Sequence, residues 1–261
     1  MLSADAKALA KRSVFLHRTY KMLRDARNIP AGKFLQPGKV HAVYKVLPNT
    51  MLPMPRLFDA YDAVAAIDAE GLAGDVAECG VWNGGCVGLM ALSHLKNAGP
   101  RRRFHLFDSF EGLPQPTSHD KEVVEGFNAE NHSVSSDDDL VAIGACAGIS
   151  QPAVERFLVE QLELPREQFI FHVGWFEETV PRAVTSIDKI ALLRVDGDWY
   201  SSTKVCFDHL YDKVVPNGFI IIDDYGTFSG CRKAVDDFLN SRGIRPEIHH
   251  SDQDCIYFRK P

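Results

Sequence analysis

No run of about 18 or more uncharged apolar residues occurs in the chain, so nothing in it reads as a transmembrane helix. The N-terminus, MLSADAKALAKRSVF, lacks the apolar core and small-residue cleavage site of a secretory signal, and the expected location is the cytoplasm. Paired cysteines at metal or redox spacing are missing as well. Cys79, Cys86, Cys146, Cys206, Cys231 and Cys255 are scattered without a CxxC pair, which reads as reduced core thiols and argues against zinc. No internal repeat is visible. Nothing points to a nucleic-acid partner.

What is present is a globular composition. With 45% hydrophobic and 25% charged residues over 261 positions, the chain can bury one substantial core. The net charge of −6 conceals a segregation: residues 1–56 hold eleven Lys/Arg against Asp5 and Asp25, whereas 112–150 hold seven acids against Lys121. A basic leader is suited to an anionic neighbour, such as a phosphorylated carrier, a nucleotide sugar or a membrane surface contacted peripherally. The alternative is a solvated helix face.

Leu9, Leu16, Tyr20 and Leu23 recur at helical spacing, so the first 27 residues are expected to form an amphipathic helix. The five prolines between 28 and 56 read as an irregular connector that folds over the site. A helix is expected from Arg56 to Glu70. From Asp75 onward, apolar runs at 75–79, 103–108, 168–173, 189–195 and 218–223 alternate with helical stretches at 84–97, 151–162, 201–213 and 229–242. That alternation predicts an α/β fold, with a parallel sheet covered on both faces and ligands at the C-terminal strand edge. Pro246–His250 and Cys255–Arg259 read as a closing hairpin. Residues 112–150 break the rhythm as a long polar insert, read as a lid or binding loop, with disorder the alternative. Its acids and His119 or His132 are candidates to touch an acceptor. The organisation expected is a basic extension over 1–56 and a catalytic domain over 57–261 carrying the insert.

Three stretches carry chemistry. The first strand runs into Glu78-Cys79-Gly80-Val81-Trp82-Asn83-Gly84-Gly85, whose glycines allow close backbone approach to a ligand at a helix N-terminus. Its spacing departs from the G-x-G-x-x-G of dinucleotide binders, which disfavours a nicotinamide oxidoreductase. The second strand ends in Asp108, where a carboxylate can accept both hydroxyls of a ribose. The third signal is acidic. One strand runs into Asp196-Gly197-Asp198 and the next into Asp223-Asp224, and the gap between Asp196 and Asp223 fits one crossover helix and a return strand. Neighbouring strands lie about 4.8 Å apart, so these carboxylates can share one cation. Oxygen ligands favour Mg²⁺, with Mn²⁺ or Ca²⁺ as alternatives. A cation lowers the pKa of a coordinated hydroxyl, and a nearby carboxylate can then take its proton.

Together these stretches resemble the macrocin-type (TylF-like) O-methyltransferase family, whose members methylate deoxysugars of macrolides and aminocoumarins. The resemblance rests on Glu78 to Gly85, Asp108-Ser109-Phe110-Glu111-Gly112-Leu113-Pro114, Gly174-Trp175-Phe176 with Thr179, Leu193 to Thr203, and Gly218 to Tyr225. It implies a Rossmann-like class I methyltransferase with a mostly parallel seven-stranded sheet, using S-adenosylmethionine and Mg²⁺ on a small-molecule or glycan-precursor acceptor. By the same resemblance, Asp196, Asp223 and Asp224 are the metal ligands and Asp198 the general base. The cofactor candidates are Glu78, Gly80, Trp82, Gly84, Asp108, Ser109, Trp175 and Asp196. A homodimer is the assembly common in that family. Two further readings stand beside the sugar methyltransferase: a catechol-type O-methyltransferase acting on a small aromatic diol, and a non-catalytic binding protein of the same fold.

Overall fold

The computed structural model describes residues 36–261 apart from 98, 100, 115, 117–118, 121–139 and 142–149, together with Thr19 and Met22. The expected N-terminal amphipathic helix, its anionic contact, His132 and most of the acidic insert lie outside the described residues. In chain order the elements are α1 (Pro37–Val46), α2 (Met54–Ala69), β1 (Asp75–Cys79), α3 (Gly85–Lys96), β2 (Phe104–Asp108), β3 (Leu113–Pro114), β4 (Leu140–Val141), α4 (Gln151–Arg156), β5 (Phe169–Val173), α5 (Phe176–Ala183), β6 (Ile190–Val195), α6 (Tyr200–Leu210), β7 (Val214–Ile222), α7 (Ser229–Ser241), β8 (His249–His250) and β9 (Ile256–Arg259).

The main sheet has seven strands in the order β5-β2-β1-β6-β7-β9-β8. The first five are parallel, and β9 joins antiparallel to both β7 and β8. The alternation of strand side chains sorts the core into two layers. Val76, Leu106, Leu192 and Ile221 face α1, α2 and α3. Ala77, Phe107, Leu193 and Ile220 face α5, α6 and α7. Both layers are continuous apolar runs, as parallel strands covered on two faces require.

Two expectations change. The connector over 28–56 contains α1, whose Val43 and Val46 are fully buried in the core. Prolines start helices here instead of preventing them: Pro37 lies in the first turn of α1 and Pro55 in that of α2, where the missing N–H costs nothing. The helix α5 falls in a stretch for which the sequence predicts none, and Pro181 lies inside it.

The register brings the strand ends level. Cys79 pairs with Val195, and Val195 with Ile222. The ladder then continues one residue further, since Asp196 N–H donates to the Cys79 carbonyl and Asp223 N–H to that of Val195. Gly80, Asp196 and Asp223 therefore stand side by side along one edge. Among the described residues, no helix is long and apolar enough to cross a membrane.

Candidate active site

The turn after β1 is shaped for close approach. Gly80 has φ of 90°, and a Cβ there would lie 2.1 Å from the Asp196 carbonyl oxygen. Gly84, at φ 79°, is the left-handed residue before α3. Asp108 closes the turn from β2: one oxygen accepts the N–H groups of Val81 (2.7 Å) and Trp82 (2.9 Å), and the other that of Phe110 (2.7 Å). Burial raises its pKa above the usual carboxylate value, while the three backbone donors favour the ionised form. Ser109 Oγ donates to the Gly112 carbonyl and accepts the Glu111 N–H, holding the next turn.

A cleft containing about 780 Å³ of empty space opens over this edge. Of the cofactor candidates, Gly80, Trp82, Asp108, Ser109, Trp175 and Asp196 line it, as does Asp198. Glu78 and Gly84 do not appear on its wall. Gly84 backs onto Val154 of α4. Glu78 is buried beneath the edge and ion-paired to Arg194 at 2.9 Å, because the register sets the two residues side by side on β1 and β6. Burial pushes the Glu78 carboxyl up to about 7 despite that pair. The cleft also includes residues the sequence reading gave no role: Met51, Leu113, Pro114, Phe176, Glu177 and Ser202. Several of these stand inside the motifs named above, and Met51 comes from the proline-rich connector expected to fold over the site.

The carboxylates divide in a way the sequence did not separate. Ligand oxygens of Asp196, Asp198 and Asp224 lie within 4.8 Å of one another. Asp223, expected as a ligand beside them, is turned to two arginines instead: Arg194 at 2.8 Å and Arg56 at 2.8 Å. Strand alternation explains the split, since consecutive residues at the end of β7 face opposite sides. Asp223 takes the side of Ile221 and Arg194, against α2, which supplies Arg56. Arg194 also holds Asp196 at 2.9 Å, and Arg56 holds Asp252 and Asp254 of the β8–β9 turn at 2.7 and 3.0 Å. Burial alone would lower the pKa of Arg194, but the surrounding carboxylates keep it firmly charged.

Of the three converging acids, Asp196 is ion-paired to Arg194, while Asp198 and Asp224 have no ion pair among the described residues. Burial, and then the charge of Asp196, push Asp198 up to about 7. Burial, with Asp198 and Asp196 beside it, raises Asp224 well above its usual value, and its Oδ2 is buried without a hydrogen-bond partner among the described residues. Two like charges about 4 Å apart repel by roughly 4 kcal/mol at an effective dielectric of about 20. An oxygen-only donor set with an unsatisfied buried oxygen fits a hard divalent cation.

A family model described as Macrocin-O-methyltransferase (TylF) matches residues 44–260. The chain belongs to that family. Relatives of this macrocin-type enzyme include 8-demethyl-8-(2,3-dimethoxy-alpha-L-rhamnosyl)-tetracenomycin-C 4'-O-methyltransferase of Streptomyces olivaceus, 30% identical over 95% of this chain and 93% of that protein. Mycinamicin III 3''-O-methyltransferase of Micromonospora griseorubida is 33% identical over 83% of this chain and 80% of its own length. Among solved structures, the O-methyltransferase NovP superposes with a TM-score of 0.67 at 30% identity, covering 81% of this chain and 82% of that one. The calicheamicin methyltransferase CalS11, at 17% identity and a TM-score of 0.61 over 99% of this chain and 94% of that one, shares the fold. The macrocin-type chain is thus an O-methyltransferase with the Rossmann-like fold of S-adenosylmethionine-dependent enzymes.

Proposed function

We propose that this protein methylates a sugar hydroxyl of a glycosylated natural product, with a divalent cation of the Mg²⁺ type held by Asp196 and Asp224. The convergence of Asp196, Asp198 and Asp224 at the cleft carries the reading. The acceptor class is supported by relatives whose names describe a rhamnosyl tetracenomycin, mycinamicin III and a novobiocin precursor.

S-Adenosylmethionine supplies an electrophilic methyl group, and the cation supplies charge that lowers the acceptor hydroxyl's pKa. The chain's own residues do the rest. Asp108 stands where a ribose diol can be accepted, and its backbone partners fix the carboxylate before the ligand arrives. Trp82 and Trp175 give the cleft apolar walls for a planar base. Asp198 takes the hydroxyl proton. Arg194 and Arg56 hold Asp223 and Asp196 in place from beneath.

Calorimetric titration of the purified protein with Mn²⁺ tests the cation site without any acceptor. One ion per chain is expected to bind, and Asp224→Ala should remove the heat while leaving the thermal unfolding transition in place. Absence of binding by the intact protein would refute the cation assignment.

A further inference from the structure

Asp120 belongs to the acidic insert, yet it is buried to 3% exposure far from the solvated face its composition suggests. Its Oδ1 accepts the backbone N–H of Tyr200, the first residue of α6, at 2.8 Å. The residue before it, His119, stacks on the Tyr200 ring at 4.4 Å. A few residues earlier, the Pro114 carbonyl accepts the Trp199 indole N–H at 2.8 Å. The same Asp120 oxygen presses on α7: a Cβ built on Gly230, in that helix's first turn, would lie 1.8 Å from it. One carboxylate therefore meets the N-terminal ends of two helices.

Those two helices follow the two acidic loops. α6 begins two residues after Asp198, and α7 begins five residues after Asp224. The first loop is strained. Asp198 has φ of 53°, and Trp199 N–H reaches back to the Gly197 carbonyl across it, a tight γ-turn of the rare positive-φ kind. Such a turn persists only where its surroundings hold it. No side chain of the residue preceding either helix caps it, which leaves first-turn N–H groups to be satisfied from elsewhere. A carboxylate is suited to that place, because it accepts the free N–H and faces the positive end of the helix dipole.

We infer that Asp120 is a positioning residue for the reaction: it joins the first turns of α6 and α7 and so fixes Asp198 relative to Asp224. The beginning of the insert is then a fixed strut of the catalytic edge. The inference rests on the proposed role of the acidic cluster, and its test separates the two.

Two readouts on the full-length protein are needed: Mn²⁺ affinity by calorimetry, and amide hydrogen exchange over 196–203 and 224–231. Asp120→Ala should weaken Mn²⁺ binding by roughly 10–100-fold, the range for residues that orient metal ligands, and speed exchange at the start of both helices. Asp120→Asn, an equally good cap, should restore both. Gly230→Ala, a helix-favouring change whose methyl displaces the carboxylate, should reproduce the Asp120→Ala phenotype. Combining it with Asp120→Ala should add little, because both act on one contact. Wild-type exchange in Asp120→Ala and Gly230→Ala would overturn the inference whatever the metal result. Faster exchange with unchanged Mn²⁺ affinity would make Asp120 a structural cap and overturn the positioning role, whereas failure of the wild type to bind Mn²⁺ would refute the cation reading instead.

Discussion

Asp198→Asn is expected to lower kcat by roughly 10²–10⁴-fold, the usual contribution of a general base, with cofactor affinity unchanged. The substitution keeps the size and polarity of the side chain but removes its ability to accept the acceptor's proton. Asp198 lines the cleft, shares a 4.8 Å cluster with Asp196 and Asp224, and sits on a backbone turn that aims it. Since Asp196 and Asp224 keep their carboxylates in this variant, Mn²⁺ should still bind. Steady-state kinetics beside a Mn²⁺ titration checks both halves. A variant that lost the ion along with the rate would make Asp198 a ligand and leave the base unassigned.

Arg194→Met should cost about 3–5 kcal/mol of stability, the range for breaking a buried ion pair from one side. Arg194 is the common partner of Glu78, Asp196 and Asp223, and its removal leaves Glu78 buried at 1% exposure without a cation. Domains are stable by only about 5–15 kcal/mol, so the change takes a large share. With an m-value of about 3 kcal/mol/M, the urea midpoint should fall by about 1–1.7 M. The loss should also depend on pH. Glu78 already titrates at about 7 in the folded protein, against a usual 4.5. A folded value above the unfolded one gives stability that is present at low pH and lost as pH rises through the folded value. Without Arg194 that value climbs further, so the variant should be less impaired at about pH 5 than at about pH 8. A midpoint within about 0.3 M of wild type at both would show that the pair contributes little.

The sheet was legible because parallel strands buried on two faces must be apolar runs, and all five of the expected runs became β1, β2, β5, β6 and β7. The glycine turn was legible because few residue types permit its backbone geometry, and Asp108 because a carboxylate ending the next strand can accept hydrogen bonds at that edge. Helix α1 is hidden in the sequence because prolines ordinarily break helices, although Pro37 occupies the one turn of a helix that tolerates it. The division between Asp223 and Asp224 follows from strand alternation, but naming the partner of Asp223 required knowing that α2 packs on that side, a contact between Arg56 and a residue 167 positions away. Arg194 stood inside a quoted motif without a role, since an arginine in an apolar strand shows its purpose only when the register places Glu78 opposite. Asp120 looked like one more acid in a polar insert. Nothing in its local sequence marks it as the cap of a helix 80 positions later.

The most direct test of the central claim is methyl transfer from labelled S-adenosylmethionine to rhamnosyl and other deoxysugar glycosides, run with added Mg²⁺ and with excess chelator. For metal-assisted sugar methylation, label is expected on a sugar hydroxyl with Mg²⁺, with that activity lost in chelator and recovered when Mg²⁺ is returned. Full activity in chelator, or label only on an aromatic diol offered alongside, would contradict it.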